Sequence, residues 1–302
     1  SKRDNHEKAV EFLQTALKYT EDLADVYNLI GMEYLFMDNL ELAKENFIKC
    51  LEEDFEDQSS LYNVVYCFEF LDQNLGAIEY LKTYIERNPY SEIAWHQSGR
   101  LYYGLKDYEN AIIIFDKALE IQPDFTNSFI NKGIALMSLG KLELGFDCFR
   151  KAISIDPNSA QTHYNLGVAQ TELGNLNEAK NSFNKAIEIK SDFSDAYSAR
   201  AVVEIIAGEY VESVASYKKA IEINPNNPAY YLNLGNALSE LRCFEECLES
   251  YDKAIELKSD YASAYANRGH VLLSHLNDPA GALVFFEVAI GLQPDFTEAL
   301  IN

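Results

Sequence analysis

The chain has 302 residues, 48% of them hydrophobic and 24% charged, with a formal net charge of −23. The acids are spread along it rather than gathered in a tail, so nucleic acid and anionic membrane surfaces are repelled and a neutral or basic protein partner is favoured. No apolar run approaches the roughly 18 residues a membrane span needs, and the five scattered cysteines suit a reducing, cytoplasmic setting better than a disulfide framework.

Residues 1–23 read as a lone helix, with Val10, Phe12, Leu13, Ala16 and Leu17 at helical spacing. The helix that would pair with it is missing, which suggests a truncated start. A 34-residue period then takes over. Gly31, Gly99, Gly133, Gly167, Gly235 and Gly269 fall on one progression with step 34, and Val65 and Ala201 stand where its two missing members belong. Full repeats of two helices each are expected at 24–57, 58–91, 92–125, 126–159, 160–193, 194–227, 228–261 and 262–296. Asp38, Gly140, Gly174 and Gly208 mark turns inside repeats. Pro89, Pro123, Pro157, Pro225 and Pro294 close the second helices, because proline cannot continue one.

Three departures stand out. The first repeat ends in Glu52-Glu53-Asp54-Phe55-Glu56-Asp57, read as a solvated acidic turn rather than a metal site. The second repeat carries Val65 in place of glycine and Tyr84 in place of alanine, bulk that should push its helices apart. The eighth has one extra residue near Asn277-Asp278-Pro279. Residues 297–302 read as the start of a ninth repeat that the chain cuts short, so the parent protein is expected to continue.

Within the third repeat the fixed points run Trp95-x2-Ser98-Gly99-x2-Tyr102, then Ala111-x3-Phe115, Ala118 and Pro123. This resembles the tetratricopeptide (TPR) repeat. The resemblance covers nearly the whole chain. It implies an all-α fold, a right-handed solenoid of antiparallel helix pairs, acting as a single non-enzymatic domain.

Numbering each repeat from its first residue and advancing about 100° per residue separates two faces of the leading helix. Positions 4, 7, 8 and 11 hold the rings of Tyr27, Trp95, Phe129, Tyr197, Tyr231 and Tyr265 beside the glycines, and should be the packing face. Positions 2, 6, 9 and 13 should point away from the core. Position 6 carries Asn63, Gln97, Asn131, Asn165, Asn233 and Asn267, with Asn302 in the cut unit and Leu29 and Ala199 interrupting the series. Asparagine is a poor helix former, so propensity does not explain it. An amide offers both a donor and an acceptor, and a row of them could hold an extended peptide without reading its sequence. The row resembles the asparagine ladder of O-linked N-acetylglucosamine transferases, which implies a concave, ligand-facing position. The alternative is that the amides bond neighbouring leading helices to each other.

Met32, Phe36, Tyr66 and Phe70 share that second face, followed by Ile134 and Val168, and suggest an apolar pocket for a partner's anchor side chain. Chaperone-binding TPR domains clamp a carboxylate with several cations. Arg100 is the single lysine or arginine on this face, so that device is not expected.

No catalytic residue, metal site or cofactor is expected. Cys243 and Cys247 stand four apart without further ligands nearby, and Cys50 and Cys247 replace small core residues. His163 takes a ring position of the packing face, while His270 falls on the groove face. Three readings remain: a scaffold that binds an extended partner segment, a substrate-recruiting arm of a larger glycosyltransferase, and a scaffold that self-assembles through uncapped ends as a homo-oligomer.

Overall fold

A helix needs a start, a stop and a buried stripe, and the repeat supplies each in turn. The computed structural model describes residues 2–294; Asn302 and the proposed ninth repeat at 297–302 lie outside the described residues. The chain forms two units. The first, Ser1–Ile155, holds α1 (Lys2–Ala16), α2 (Leu23–Phe36), α3 (Leu40–Glu53), α4 (Gln58–Phe70), α5 (Asn74–Arg87), α6 (Glu92–Gly104), α7 (Tyr108–Ile121), α8 (Thr126–Ser138) and α9 (Leu142–Ile155). The second, Asp156–Asn302, holds α10 (Ala160–Glu172), α11 (Leu176–Ile189), α12 (Ser194–Ile206), α13 (Tyr210–Ile223), α14 (Pro228–Glu240), α15 (Phe244–Leu257), α16 (Ala262–Ser274) and α17 (Pro279–Leu292). No strand occurs among the described residues, and the fold is an all-α TPR solenoid.

Starts are made by short polar side chains. Asn39, Asp57, Ser91, Asp107 and Ser159 each accept a bond from a backbone N–H in the first turn of the helix that follows. Stops inside a repeat share one geometry. The second residue past the leading helix turns left-handed, at Asp38, Asp72, Lys106, Gly140, Gly174, Gly208 and Arg242, and in the eighth repeat the third does, at Asn277. The chain reverses there: Asn39 N–H reaches back to Tyr34 O at 2.9 Å, and Lys141 N–H to Leu136 O at 2.9 Å. Lys106 and Arg242 hold this conformation without being glycine, aspartate or asparagine. The inserted residue of the eighth repeat lengthens the turn between α16 and α17 to residues 275–278.

The buried stripe corrects one expectation. The glycines do not pair with the rings at position 4. At Gly99 a Cβ would sit 2.6 Å from the Phe115 ring of α7, and Gly31, Gly133, Gly167, Gly235 and Gly269 face Phe47, Phe149, Phe183, Tyr251 and Phe286 in the same way. The second helix therefore inserts a ring into a notch on the first. The position-4 rings lie half-buried at the edge. Trp95 Nε1 donates to Pro89 O at 3.0 Å and Tyr265 Oη to Ser259 O at 3.2 Å; His163 Nε2 is 3.0 Å from Pro157 O. They latch the turn that precedes their own helix.

The second repeat departs as its sequence suggests. Val65 fills the notch and Leu81 replaces the ring; both are fully buried. The helices α4 and α5 approach each other less closely than the pair of any other full repeat. Tyr84 packs instead toward the first repeat, its hydroxyl donating to Phe55 O. Together they line a cavity of about 380 Å³ between α3 and α5. The lone α1 packs Val10 against Val26 and Ile30 of α2, while Phe12 is left exposed.

Candidate functional site

Positions 9 and 13 of each leading helix point away from the ring-in-notch core, and in the first two repeats they are apolar. Phe36 is 65% exposed, Tyr66 43% and Phe70 66%, and Met32 is half-buried among them. Tyr66 and Phe70, one turn apart on α4, lie with their rings tilted and centroids 4.3 Å apart. Phe36 stacks on His6 of α1 at 5.4 Å, and His6 Nδ1 lies 2.6 Å from the Glu33 carboxylate.

The next step of this face is polar and self-satisfied. Arg100 pairs with Glu69 at 3.3 Å and bonds the Gln97 amide. Gln97 is fully buried. Arg100 is thus already neutralised by the protein.

The amides of position 6 divide. Asn63 Nδ2 donates to Met32 Sδ at 3.7 Å, Asn131 Nδ2 lies 3.5 Å from His96 Nε2, and Asn267 Nδ2 donates to Asn236 Oδ1 at 2.8 Å. Each of these bonds reaches the preceding leading helix, as the alternative reading of the row supposes. Asn165 Oδ1 accepts from Gln161 of its own helix, and its buried Nδ2 has no partner. Asn233 is half-buried on α14. The structure therefore leaves Phe36, Tyr66 and Phe70 exposed and Met32 half-buried on α2 and α4, links Arg100 to Gln97 and to Glu69 of α4, and uses three amides as helix-to-helix links.

His96, at position 5, underlies the Asn131 contact. It is buried against Phe115 and Phe125, with Nδ1 2.9 Å from Ser128 Oγ. Burial, and then the nearby Arg100 charge, push its pKa down to about 4. Register also marks Val202 and Ile206 of α12, 38% and 57% exposed at positions 9 and 13, which residue type alone did not single out. His270 of α16 is exposed, and His163 is a latch rather than a core ring.

Four of the five cysteines are buried and all are free. Burial pushes the thiols of Cys50, Cys67 and Cys247 up to about 11, so they are poor nucleophiles and poor ligands at neutral pH. No cluster of histidine, cysteine and carboxylate side chains that could hold a metal ion occurs among the described residues. No described helix is long and apolar enough to cross a membrane.

Profiles described as "Tetratricopeptide repeat" match residues 24–57, 93–125, 160–193 and 228–261, and one described as "TPR repeat" matches 133–174 and 203–241. Together these matches span more than half of the chain. It belongs to the tetratricopeptide repeat family. This TPR chain is 27% identical over 136 residues to protein FlbA of Caulobacter vibrioides, a match covering 45% of the chain and 23% of FlbA. It is 26% identical over 126 residues to a UDP-N-acetylglucosamine–peptide N-acetylglucosaminyltransferase of Giardia intestinalis, covering 42% of the chain and 8% of the transferase. The chain thus spans a quarter or less of either relative.

Among solved structures it is similar to YrrB, described as a TPR protein with an unusual peptide-binding site, at 24% identity and a TM-score of 0.52, over 62% of this chain and 96% of that one. It is also similar to the Cut9–Hcn1 hetero-tetramer of the APC/C, at 15% identity and a TM-score of 0.66, over 100% of this chain and 59% of that one. At these identities the likeness is one of fold.

Proposed function

We propose that this TPR chain is a non-catalytic scaffold that binds an extended segment of a partner protein along its leading helices. One observation carries the reading. Phe36, Tyr66 and Phe70 stand exposed on the successive leading helices α2 and α4, where polar residues would cost packing nothing. Such a patch suits a bulky apolar anchor of the partner. The net charge of −23 favours a neutral to basic segment. Asn131, Asn165, Asn233 and Asn267 would then contact the segment's backbone where they are not engaged with a neighbouring helix. Buried, unpaired thiols fit a reducing cytoplasmic setting.

Selection from a random peptide display library tests this directly. Recovered peptides should share a bulky apolar residue near lysine or arginine, and should lose at least tenfold in affinity on Phe36→Ala with Phe70→Ala. Unchanged affinity in that double variant would remove the apolar patch from the site.

A second reading, a substrate-recruiting arm of a larger enzyme, is favoured by the match to the Giardia transferase. A parent gene without a catalytic domain would exclude it. Self-association is a third, suggested by Leu283 and Val284 on α17, 58% and 57% exposed. Light scattering that stays monomeric at every concentration would exclude that one.

A further inference from the structure

The second helix of the fourth repeat breaks a charge pattern that the third, fifth, sixth and seventh repeats keep. Position 26 is lysine in most repeats, and position 29 is the glutamate that neutralises it one turn later. The pairs are Lys117–Glu120 at 2.8 Å, Lys185–Glu188 at 3.0 Å, Lys219–Glu222 at 2.6 Å and Lys253–Glu256 at 2.8 Å. The fourth repeat has Lys151 but Ser154 in place of the glutamate. Position 19, glutamate in the fifth, sixth and seventh repeats, is Leu144 here. Position 16, where Asn39 and Asp107 cap their helices, is Lys141. A cation just before the first turn of α9 opposes the helix dipole, so helix stability does not explain it.

These changes surround one concavity. It has a volume of about 740 Å³ and lies between α7, α8 and α9. Its apolar lining is Ile112, Phe129, Leu136 and Leu144. Lys132, Lys141, Arg150 and Lys151 stand around it, with Asp147 the single carboxylate in the lining. Lys132 is paired with Asp116 at 2.5 Å. No carboxylate among the described residues lies within ion-pair distance of Lys141, Arg150 or Lys151. Lys151 rests instead over the Phe129 ring at 5.7 Å.

The same positions in the seventh repeat form a matched contrast. That concavity is about 300 Å³, has Glu246 and Glu249 in its lining, and its cations are tied up by Lys218–Glu246 at 3.3 Å and Lys253–Glu256. The fourth repeat has therefore lost the acids that the seventh keeps and gained cations around an apolar floor, on a protein that is otherwise strongly acidic.

We infer that this concavity is a second binding site, distinct from the leading-helix face, for an acidic protein segment that carries a bulky apolar side chain. The side chain enters between Phe129, Leu136 and Leu144, and flanking carboxylates meet Lys141, Arg150 and Lys151. Charge complementarity selects this occupant, because Lys141, Arg150 and Lys151 gather around one apolar floor on a chain of net charge −23.

Ser154→Glu tests the idea without threatening the fold, since it restores the ion pair that the third, fifth, sixth and seventh repeats have. The probe is a fluorescein-labelled Asp-Glu-Phe-Glu-Asp peptide, read by anisotropy on the full chain. Saturable binding is expected, weakening with salt. Ser154→Glu should reduce affinity about three- to fivefold, the size of one exposed charge contact. Lys141→Glu with Lys151→Glu should reduce it more than tenfold, with helicity unchanged. Phe36→Ala with Phe70→Ala should leave it unchanged, so this site and the leading-helix site fail separately. Absence of saturable binding, equal affinity for Ser154→Glu, or equal binding of a peptide with glycine for phenylalanine would each overturn the proposal. So would a concentration-dependent dimer that Ser154→Glu abolishes, which would make a second copy the occupant.

Discussion

The second and third repeats have the same length, the same two helices and the same phase, yet their helix pairs pack at different distances. In the third, Phe115 enters the notch above Gly99. In the second, Val65 closes the notch, Leu81 replaces the ring, and the helices stand further apart. A period of constant length sets where helices begin and end. The size of one side chain, and of its absence opposite, sets how near they come. The apolar patch of Tyr66 and Phe70 sits on the looser of the two repeats.

That contrast can be broken from the third repeat's side. Phe115→Ala removes the fully buried ring and should cost about 3–5 kcal/mol in chemical denaturation, as other core phenylalanines do. A loss below about 1 kcal/mol would mean the notch does not organise the repeat.

Acid should separate the two repeats next. Buried His96 of the third has no counterpart in the second, where position 5 is the exposed Tyr62. With the folded pKa lowered to about 4, the unfolded chain takes up a proton between an ordinary pKa near 6.5 and that value while the folded chain does not. Stability should therefore fall as pH drops through this window, by about 3 kcal/mol at its lower end. His96→Gln should flatten the profile between those limits; an unchanged profile would show that His96 is not its source.

Gly99→Val drives a side chain into the Phe115 ring and should cost about 1–3 kcal/mol despite the better helix propensity of valine. Adding Phe115→Leu recreates the pair found at Val65 and Leu81. The double variant should then lose less than the two single losses combined. Strict additivity would show that these residues do not read each other. The smallest effect belongs to Tyr84→Phe, which deletes one hydroxyl bond to Phe55 O and should cost about 0.5–1.5 kcal/mol, seen as faster amide exchange at the start of α4.

Much of the architecture was legible because it repeats. Helices, turns and closing prolines follow from residues that return at one spacing, and a single irregular copy could not hide the rest. The partner of each glycine was misread: a helical wheel drawn for one helix shows which residues share its face, not which helix supplies the ring that fills it. Lys106 and Arg242 escaped notice as left-handed residues because the backbone bonds closing the turn impose that conformation whatever the side chain. The position-6 amides were visible as a row, but a donor reaching a neighbouring helix and one reaching a guest have the same sequence. Ser154 was overlooked because its signal is the glutamate that is not there.

One consequence follows from the way Asn63 and Asn267 are held. Each gives one of its two amide hydrogens to the helix before it and keeps the other beside its carbonyl oxygen. A visitor lying across them would find one proton and the oxygen's lone pairs on offer at each rung. A peptide unit, which both gives and takes a hydrogen bond, could therefore settle there without prying the rungs loose.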